Sequence, residues 1–427
     1  MTVLIFLSSL LAAMLIGVPI AYALLLSGVA LMMHLDLFDA QILAQNVING
    51  ADSFPLLAIP FFMLAGEVMN AGGLSKRLVQ FAMTLVGHKR GGLGYVVVVT
   101  ACLMAALSGS AVADTAALAA LLLPMMVRAG HDKATSGGLI ASAGIIAPVI
   151  PPSIAFIIFG VAGNVSIGKL FMAGIVPGLL LGIAIAAAWA WVVRRENVPL
   201  PPKASFRQQV SAFKDAIWAL MLPVIILVGL KMGVFTPTEA AVVAAVYSLF
   251  VACVIYRELR LASLYKVFAC AARTTAIVMF LIAAAMVAAW LITVADIPGQ
   301  IIDILEPFMD NPTLLLIAMM LFILAVGMAM DMMPTILILT PVLMPVVKEA
   351  GIDPAYFGVL FIINTAIGLM TPPVGTVLNV VSGVGQMKMD QVARGAFPFI
   401  IAQVSVLVLL VLFPAIVMVP MEFLWGR

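Results

Sequence analysis

Charge is what this sequence has least of. Asp, Glu, Lys and Arg make up 9% of its 427 residues and apolar side chains 65%, where a soluble domain carries about 25% charged residues. No soluble chain of this length hides so much apolar side chain, so the surrounding solvent is lipid and the chain crosses it many times. Cysteine is almost missing. Cys102, Cys253 and Cys270 lie in apolar segments without metal-ligand spacing, which excludes a disulfide framework and leaves them as core filler. Histidine is equally scarce: His34, His88 and His131 fall at segment edges with no partner spacing. There is no Ser/His/Asp or Cys/His set and no glycine-rich phosphate loop with its lysine, so neither an enzyme nor an ATP-driven pump is expected. A net charge of +2 with no basic arm speaks against nucleic acid. The opening stretch MTVLIFLSSLLAAMLIGVPIAY has no basic start and runs on into apolar sequence, so it reads as a membrane span rather than a cleaved signal.

What is present is a repeat. Slid by 221 residues, two long segments superpose their punctuation without a gap. Pro124 falls on Pro345, Asp132 on Asp353, Gly137 on Gly358, Pro151-Pro152 on Pro372-Pro373, Gly174 on Gly395 and Pro177 on Pro398. Glycine and proline dictate backbone shape, so a shared register implies a shared backbone. Charge gives the relative orientation. The polar stretch Val193–Lys214 holds five basic residues and is assigned to the cytoplasm. Carried through the chain, that assignment leaves only Lys169, Lys231, Lys348 and Arg427 of the 21 Lys+Arg outside, and the N-terminus outside as well. Lys76, Arg77, Lys89 and Arg90 then face the cytoplasm, while the matching region 296–310 faces out. The halves are inverted, a plan that places a transporter's binding site at the midplane between repeats.

Each half carries two irregular features. The first is a hairpin. Gly92–Ala106 runs in, SGSAVADTA turns, and the chain returns to Arg128; in the second half Leu314–Val326 runs in, GMAMDMMPT turns, and the chain returns to Lys348. These limbs are shorter than the about 20 residues a span needs, so both are expected to be re-entrant, one from each face. The second feature is a broken helix, APVIPPS (Ala147–Ser153) and GLMTPPV (Gly368–Val374), where paired prolines remove donors and free carbonyls. Such backbone survives in a membrane only against protein or a cavity. Tip and break together suit a small cation. Asp331 supplies a carboxylate at one tip, its repeat partner Ser110 a hydroxyl at the other, and no lysine or arginine lies near Asp331 in sequence. The expectation is one Na⁺ held by Asp331, Thr371 and carbonyls near Gly327 and Gly368, and another held by Ser108, Ser110 and carbonyls near Ala147 and Ile150. The alternatives are a capping or protonated carboxylate at Asp331 and simple helix back-bonding at Ser110. Asp114, one turn beyond Ser110, is either a helix-start carboxylate or a neighbour of the ligands. Asp114, Ser153, Pro373 and Asn379 are the candidates for the substrate's side of the site.

The expected architecture is an all-α polytopic membrane protein. A first repeat covers 1–200, with scaffold helices over 1–90, hairpin and broken helix over 91–165 and a closing helix over 170–193. A cytoplasmic linker with a surface helix covers 201–215. The second repeat covers 216–427, with scaffold helices over 216–311, hairpin and broken helix over 312–385 and a closing helix over 396–422. FTPTEAA (Phe235–Ala241) reads as a helix start capped by Thr236 or Thr238, and Glu67 as sitting near a helix end beside Gly72-Gly73. Segments 36–54, 72–90 and 204–218 alternate polar and apolar at helical spacing and read as helices along the membrane surface, a frame around a moving core.

FPLLAIPFFMLAGEVMNAGGLSKRL, LSGSAVADTAA, IPPSIAFIIFG, FTPTEAA, LTPVLMPVVKEAGID and GLMTPPVGTVLNV resemble the large membrane subunit of the tripartite ATP-independent periplasmic (TRAP) transporters, over essentially the whole chain. The resemblance implies an elevator-type, Na⁺-driven importer in the bacterial inner membrane, with no resident cofactor. It implies two partners, a small four-helix membrane subunit and a periplasmic substrate-binding protein. It also implies an organic-acid substrate: a C4-dicarboxylate, keto acid, sialic acid or sugar acid, the wording being nearest to sugar-acid systems such as that for 2,3-diketo-L-gulonate. Carried over by position, sodium ligands fall on Ser108, Ser110, Ile150 and Pro152 and around Asp331, Gly368 and Thr371. Relatives often have glycine where this chain has Ala147, and a methyl group there crowds a carbonyl ligand. The rival reading is a self-contained ion-coupled organic-anion transporter or antiporter of the same architecture.

Overall fold

A peptide chain in lipid has no water to satisfy its backbone and closes its hydrogen bonds within helices. The computed structural model describes residues 2–195, 202–309 and 311–426, and those residues form α-helices and short helical turns with no β-strand. Linker residues 196–201, Asp310 and Arg427, assigned sides above, lie outside the described residues.

The first half begins with α1 (Thr2–Leu15), α2 (Ile20–His34), α3 (Ala40–Ala51), α4 (Ala58–Ala71) and α5 (Leu74–Val86). A hairpin of α6 (Gly92–Ser108) and α7 (Ala111–Arg128) follows, then a broken helix of α8 (Lys133–Gly144) and α9 (Ile154–Gly163), then α10 (Ile167–Val192). The second half begins with α11 (Phe206–Lys231), α12 (Pro237–Phe250), α13 (Leu261–Val294) and α14 (Ile297–Met309). Its hairpin is α15 (Pro312–Ala329) and α16 (Met332–Glu349), its broken helix α17 (Pro354–Gly368) and α18 (Thr376–Gly385), and α19 (Met389–Leu412) and α20 (Ala415–Trp425) close the chain.

The repeat register reaches further than its sequence signal. Moved by 221, the bounds of α7 become those of α16, and α2, α5, α6, α8, α9 and α10 fall within a few residues of α12, α14, α15, α17, α18 and α19. Separate helices α3 and α4 fall together on the single 34-residue α13. Equivalent aspartates start equivalent helices. Asp132 accepts from the Thr135 N–H at 2.7 Å, and Asp353 from the N–H groups of Ala355 and Tyr356 at 2.8 and 2.9 Å. Such caps satisfy first-turn donors.

Side-chain contacts show the inversion. At one end of the bundle Arg77 pairs with Glu258 at 2.6 Å and lies 3.8 Å from the Tyr256 ring centre. There, too, the Tyr256 hydroxyl donates to the Asp215 carbonyl at 2.6 Å, and the base of the α6–α7 hairpin is held by Trp189, whose indole N–H donates to the Gly91 carbonyl at 2.8 Å. At the other end, Thr238 donates to the Phe54 carbonyl at 3.4 Å, and Lys348, at the base of the α15–α16 hairpin, lines one cavity with Asn46, Asn164 and Thr293. The hairpins therefore enter from opposite ends. Helices α8, α9 and α17 are buried on all sides over most of their length, as helices in a bundle's centre must be. Each hairpin's second limb packs on the other half's broken helix, α7 on α18 and α16 on α9.

Three expectations need correction. Residues 206–218 of the expected surface helix, and with them 206–215 of the expected linker, are the opening turns of α11, one helix of 26 residues. Ser205 and Gln208 form its capping box, nothing breaks it before Pro223, and Gln209 donates to the Thr84 carbonyl at 3.2 Å. At about 39 Å it outruns a hydrocarbon layer of about 30 Å, so its polar first turns project beyond. The closing helix over 396–422 starts earlier, at Met389, and breaks at Phe413-Pro414 into α19 and α20. Finally, the hairpin limbs are 17 or 18 residues long, and α7, α15 and α16 are themselves long and apolar enough to cross a membrane. What makes them hairpins is a turn of a few residues at each tip and the antiparallel packing of their limbs, not short length. The cap of FTPTEAA is Thr236, in a capping box with Glu239, and Glu67 lies in α4, which ends at Ala71 before Gly72.

Trp189 is fully buried, with His131 and Phe399 at ring-centre distances of 5.3 and 6.5 Å, and a methyl group at Gly94 would enter its ring. It joins the starts of α6 and α8 to the end of α10 and to α19. Trp189→Ala is expected to cost about 3–5 kcal/mol, the usual range for emptying a buried aromatic site. Thermal unfolding in detergent should show a clear fall in midpoint, and a smaller one for Trp189→Phe.

Candidate cation and substrate site

In each half a hairpin tip is pressed onto its own broken helix. At the first tip α6 ends in Gly109, which has φ +62°, a conformation that suits glycine. A methyl group there would also lie 2.9 Å from the Pro152 carbonyl oxygen and 3.1 Å from Ser153 Cα. Ser110 follows as the cap of α7, accepting from the Ala113 N–H at 3.4 Å. The Ser108 hydroxyl accepts from the Ser110 N–H at 3.2 Å and donates to a carboxylate oxygen of Asp114. Asp114 is buried, and its second carboxylate oxygen has no hydrogen-bond partner among the described residues.

Between α8 and α9 the chain turns at Ile145–Ser153, all of it buried, with a cis peptide joining Pro151 and Pro152. The carbonyls of Ala147, Ile150 and Pro152 accept no backbone N–H among the described residues. Ser153 does not join them. Its hydroxyl donates to the Pro148 carbonyl at 2.6 Å and accepts from the Phe156 N–H at 3.3 Å, so it caps α9 and is fully buried.

The second half repeats the arrangement with other chemistry. Gly327 of α15 and Gly368 of α17 meet backbone to backbone; a methyl group on Gly368 would lie 2.8 Å from the Gly327 carbonyl carbon and 2.9 Å from its oxygen. The same positions in the first half are Ala106 and Ala147. The Gly327 carbonyl has no backbone donor among the described residues, whereas that of Gly368 accepts from the Thr371 N–H at 3.0 Å. Asp331 stands at the start of α16 without capping it. Its carboxylate accepts from the Thr376 hydroxyl at 3.4 Å, and no cationic side chain among the described residues is within ion-pair distance of it. Thr371 is not its partner here, since that hydroxyl donates to the Ile367 carbonyl at 2.9 Å. Asn379 donates to the Val374 carbonyl at 2.8 Å and braces the break from its exposed side.

Thr376 and Thr335 were not among the expected residues. Thr335 was findable, because it is the repeat partner of Asp114. Its hydroxyl donates to the Asp331 carbonyl at 2.8 Å. Each tip therefore pairs one hydroxyl with one carboxylate four residues apart, Ser110 with Asp114 and Asp331 with Thr335, in opposite order. Nothing in sequence marked Thr376.

The halves differ in access. Break one is shut, while Pro372, Pro373 and Val374 of break two are exposed. A cavity of about 570 Å³ reaches Asp331 between Pro19–Tyr22 at the start of α2 and residues 276–281 of α13. A buried or half-buried carboxylate without a cationic partner is costly in a membrane and marks ion or substrate pathways. Unpaired carbonyls, a hydroxyl and a carboxylate are the oxygen set that hard monovalent cations accept.

Residues 7–416 match the family described as "Tripartite ATP-independent periplasmic transporter, DctM component". The 2,3-diketo-L-gulonate TRAP transporter large permease protein of Escherichia coli K12 is 59% identical over 424 residues, covering 99% of this chain and 100% of that protein. The isethionate TRAP transporter permease protein DctMQ of Oleidesulfovibrio alaskensis is 39% identical over 404 residues, which are 94% of this chain and 64% of that longer protein. Among solved structures, the YdaH transporter of Alcanivorax borkumensis superposes with a TM-score of 0.67 at 14% identity, over 89% of this chain and 90% of that one, a likeness of fold. With its family matched from residue 7 to 416 and a 59%-identical relative spanning its length, this chain belongs to the DctM family, the large permease subunits of the TRAP transporters.

Proposed function

We propose that this permease imports an organic acid, of the sugar-acid class, across the bacterial inner membrane by coupling to Na⁺. The observation that carries the reading is the pair of tip-and-break contacts. Each sets a carboxylate beside a hydroxyl and unpaired carbonyls, those of Ala147, Ile150 and Pro152 in the first half and that of Gly327 in the second, in two halves that enter from opposite ends. One Na⁺ is assigned to Ser108 and Ser110 with the carbonyls of Ala147, Ile150 and Pro152, beside Asp114. Another is assigned to Asp331, Thr371, Gly327 and Gly368, with Thr376 now added. An empty site leaves each carboxylate uncompensated; a bound cation removes that cost and draws tip to break, so substrate and ion load together. The exposed Pro373 and Asn379 mark where substrate meets the second half.

In this reading α4 and α13 belong to the static frame and the hairpins with α8, α9, α17 and α18 to the moving core, an elevator. The sequence-based placement of only four of the 21 basic residues on the Lys348 side supports a periplasmic Lys348 end, and we put the N-terminus on that side too. The named substrate of the 59%-identical relative supports a sugar acid. The 36% of the isethionate relative beyond this chain's match leaves room for a small membrane subunit joined in one polypeptide. We place a separate small four-helix subunit and a periplasmic binding protein beside this chain. The rival is a permease that needs no binding protein.

The test is uptake of a labelled sugar acid into proteoliposomes holding this chain and its small subunit, with binding protein outside. Uptake is expected only with both an inward Na⁺ gradient and binding protein. Uptake without binding protein would establish the rival, and indifference to Na⁺ would sink the coupling. Asp331→Ala is expected to lower Na⁺-driven uptake at least tenfold, and normal uptake in that variant would remove Asp331 from the ion site. Gly368→Ala, which pushes the second tip off its break, should raise the Na⁺ concentration for half-maximal uptake by about tenfold, equivalent to about 1.4 kcal/mol.

A further inference from the structure

At the Lys348 end a second cavity, of about 580 Å³, opens between the frame and the core. Asn46 and Asn49 of α3 and Trp290 and Thr293 of α13 form one wall; Asn164, in the turn after α9, and Lys348, in the last turn of α16, form the other. None of the residues assigned to the ions lines it. No Asp or Glu lines it either, and no carboxylate among the described residues is within ion-pair distance of the Lys348 amine. The side chains of Asn49 and Asn164 make no hydrogen bond among the described residues, and Asn46 uses only its N–H₂, on the Ile42 carbonyl at 2.9 Å. Asn164 is held in this turn at φ +53°.

We propose that this cavity is a reception site for the anion of a polyhydroxy acid, where substrate rests before reaching the tips. The ammonium of Lys348 meets the carboxylate. The amides of Asn49 and Asn164 meet hydroxyls with both donors and acceptors, as a polyol requires. The half-buried face of Trp290 meets the apolar C–H face of the carbon chain, the usual division of labour in a small-molecule pocket of apolar walls and few directed polar groups. A lysine in a helix's last turn also complements the helix dipole, but that role needs neither a cavity nor unspent amides facing it. Because its walls belong to frame and core, the cavity changes shape whenever the two move, so occupancy is linked to the transport cycle. The proposal rests on the Lys348 end being the substrate's side of entry.

The test separates this site from the ion sites by leaving Na⁺ out. The chain with its small subunit, in detergent and Na⁺-free buffer, is titrated with D-gluconate while tryptophan emission is read, with Trp290→Phe identifying the responding ring. Saturable quenching is expected, weaker at least tenfold with sorbitol, the uncharged analogue. Lys348→Gln should raise the half-saturating gluconate concentration at least tenfold and Lys348→Arg less than threefold, while Asp331→Ala leaves the response in place. Equal response to sorbitol, or an unchanged one in Lys348→Gln, would overturn the proposal. So would displacement by the binding protein alone with no gluconate response, which would make the cavity a docking socket for an acidic protein side chain, or displacement by phosphatidylglycerol with none by gluconate. Wild-type protein that binds gluconate yet shows no Na⁺-driven uptake would fail the proposed function and leave this site standing.

Discussion

A carbonyl at membrane depth needs a donor, and the proline pairs at 151–152 and 372–373 take donors away from the carbonyls around them. That constraint organises the molecule. The breaks must sit in the centre, because only protein or a cavity can shelter them, and α8, α9 and α17 are buried on all sides accordingly. Something must reach the middle to meet them, and a spanning helix cannot present its end there. A hairpin can, and both hairpins do so with a tip thinned to glycine, at Gly109 against Pro152 and at Gly327 against Gly368. The remaining helices hold two such pairs in register, with the long second limbs crossing over to pack on the opposite broken helix.

Asp114 and Asp331 belong to the same scheme. Each half places one carboxylate beside its unpaired carbonyls, but on opposite sides of a hydroxyl four residues away. Duplication conserved the composition of the oxygen set and not its order. The carboxylates consequently meet different company, Ser108 at Asp114 and Thr376 at Asp331, so the two ion sites proposed here are chemically alike and geometrically distinct. The alanines at 106 and 147, opposite the glycines at 327 and 368, point the same way: the backbone contact made in the second half has a methyl group on both sides in the first.

Much of this was legible because glycine and proline carry backbone shape in plain view. The shift of 221 residues, the two hairpins and the two breaks all follow from their placement, and helices α2–α10 and α12–α19 obey the same register. What misled was polarity. Arg207, Gln208, Gln209 and Lys214 look like a surface helix, yet no residue between Ser205 and Pro223 stops a helix, and it runs straight into the bilayer. Pro414 sat in an apolar run where it was read through, although it ends α19. Limb length was a poor guide, since 18 residues serve a hairpin limb and a span alike. Of the candidate site, the residues that the fold gathers at tips and breaks were picked out through the repeat; Thr376 was not, because its approach to Asp331 comes from how α18 leaves the break, which only the folded chain displays.

The unequal shelter of the two breaks has one more consequence. Ile145–Ser153 is sealed and Thr371–Val374 is open, though both are copies of one backbone. The same local backbone therefore tolerates a sealed setting and an open one, so shelter at a break is set by the helices around it and not by the break itself. What separates the two breaks is the company each keeps, and a repeat of one backbone can carry two different solvent exposures without a change in its own turn.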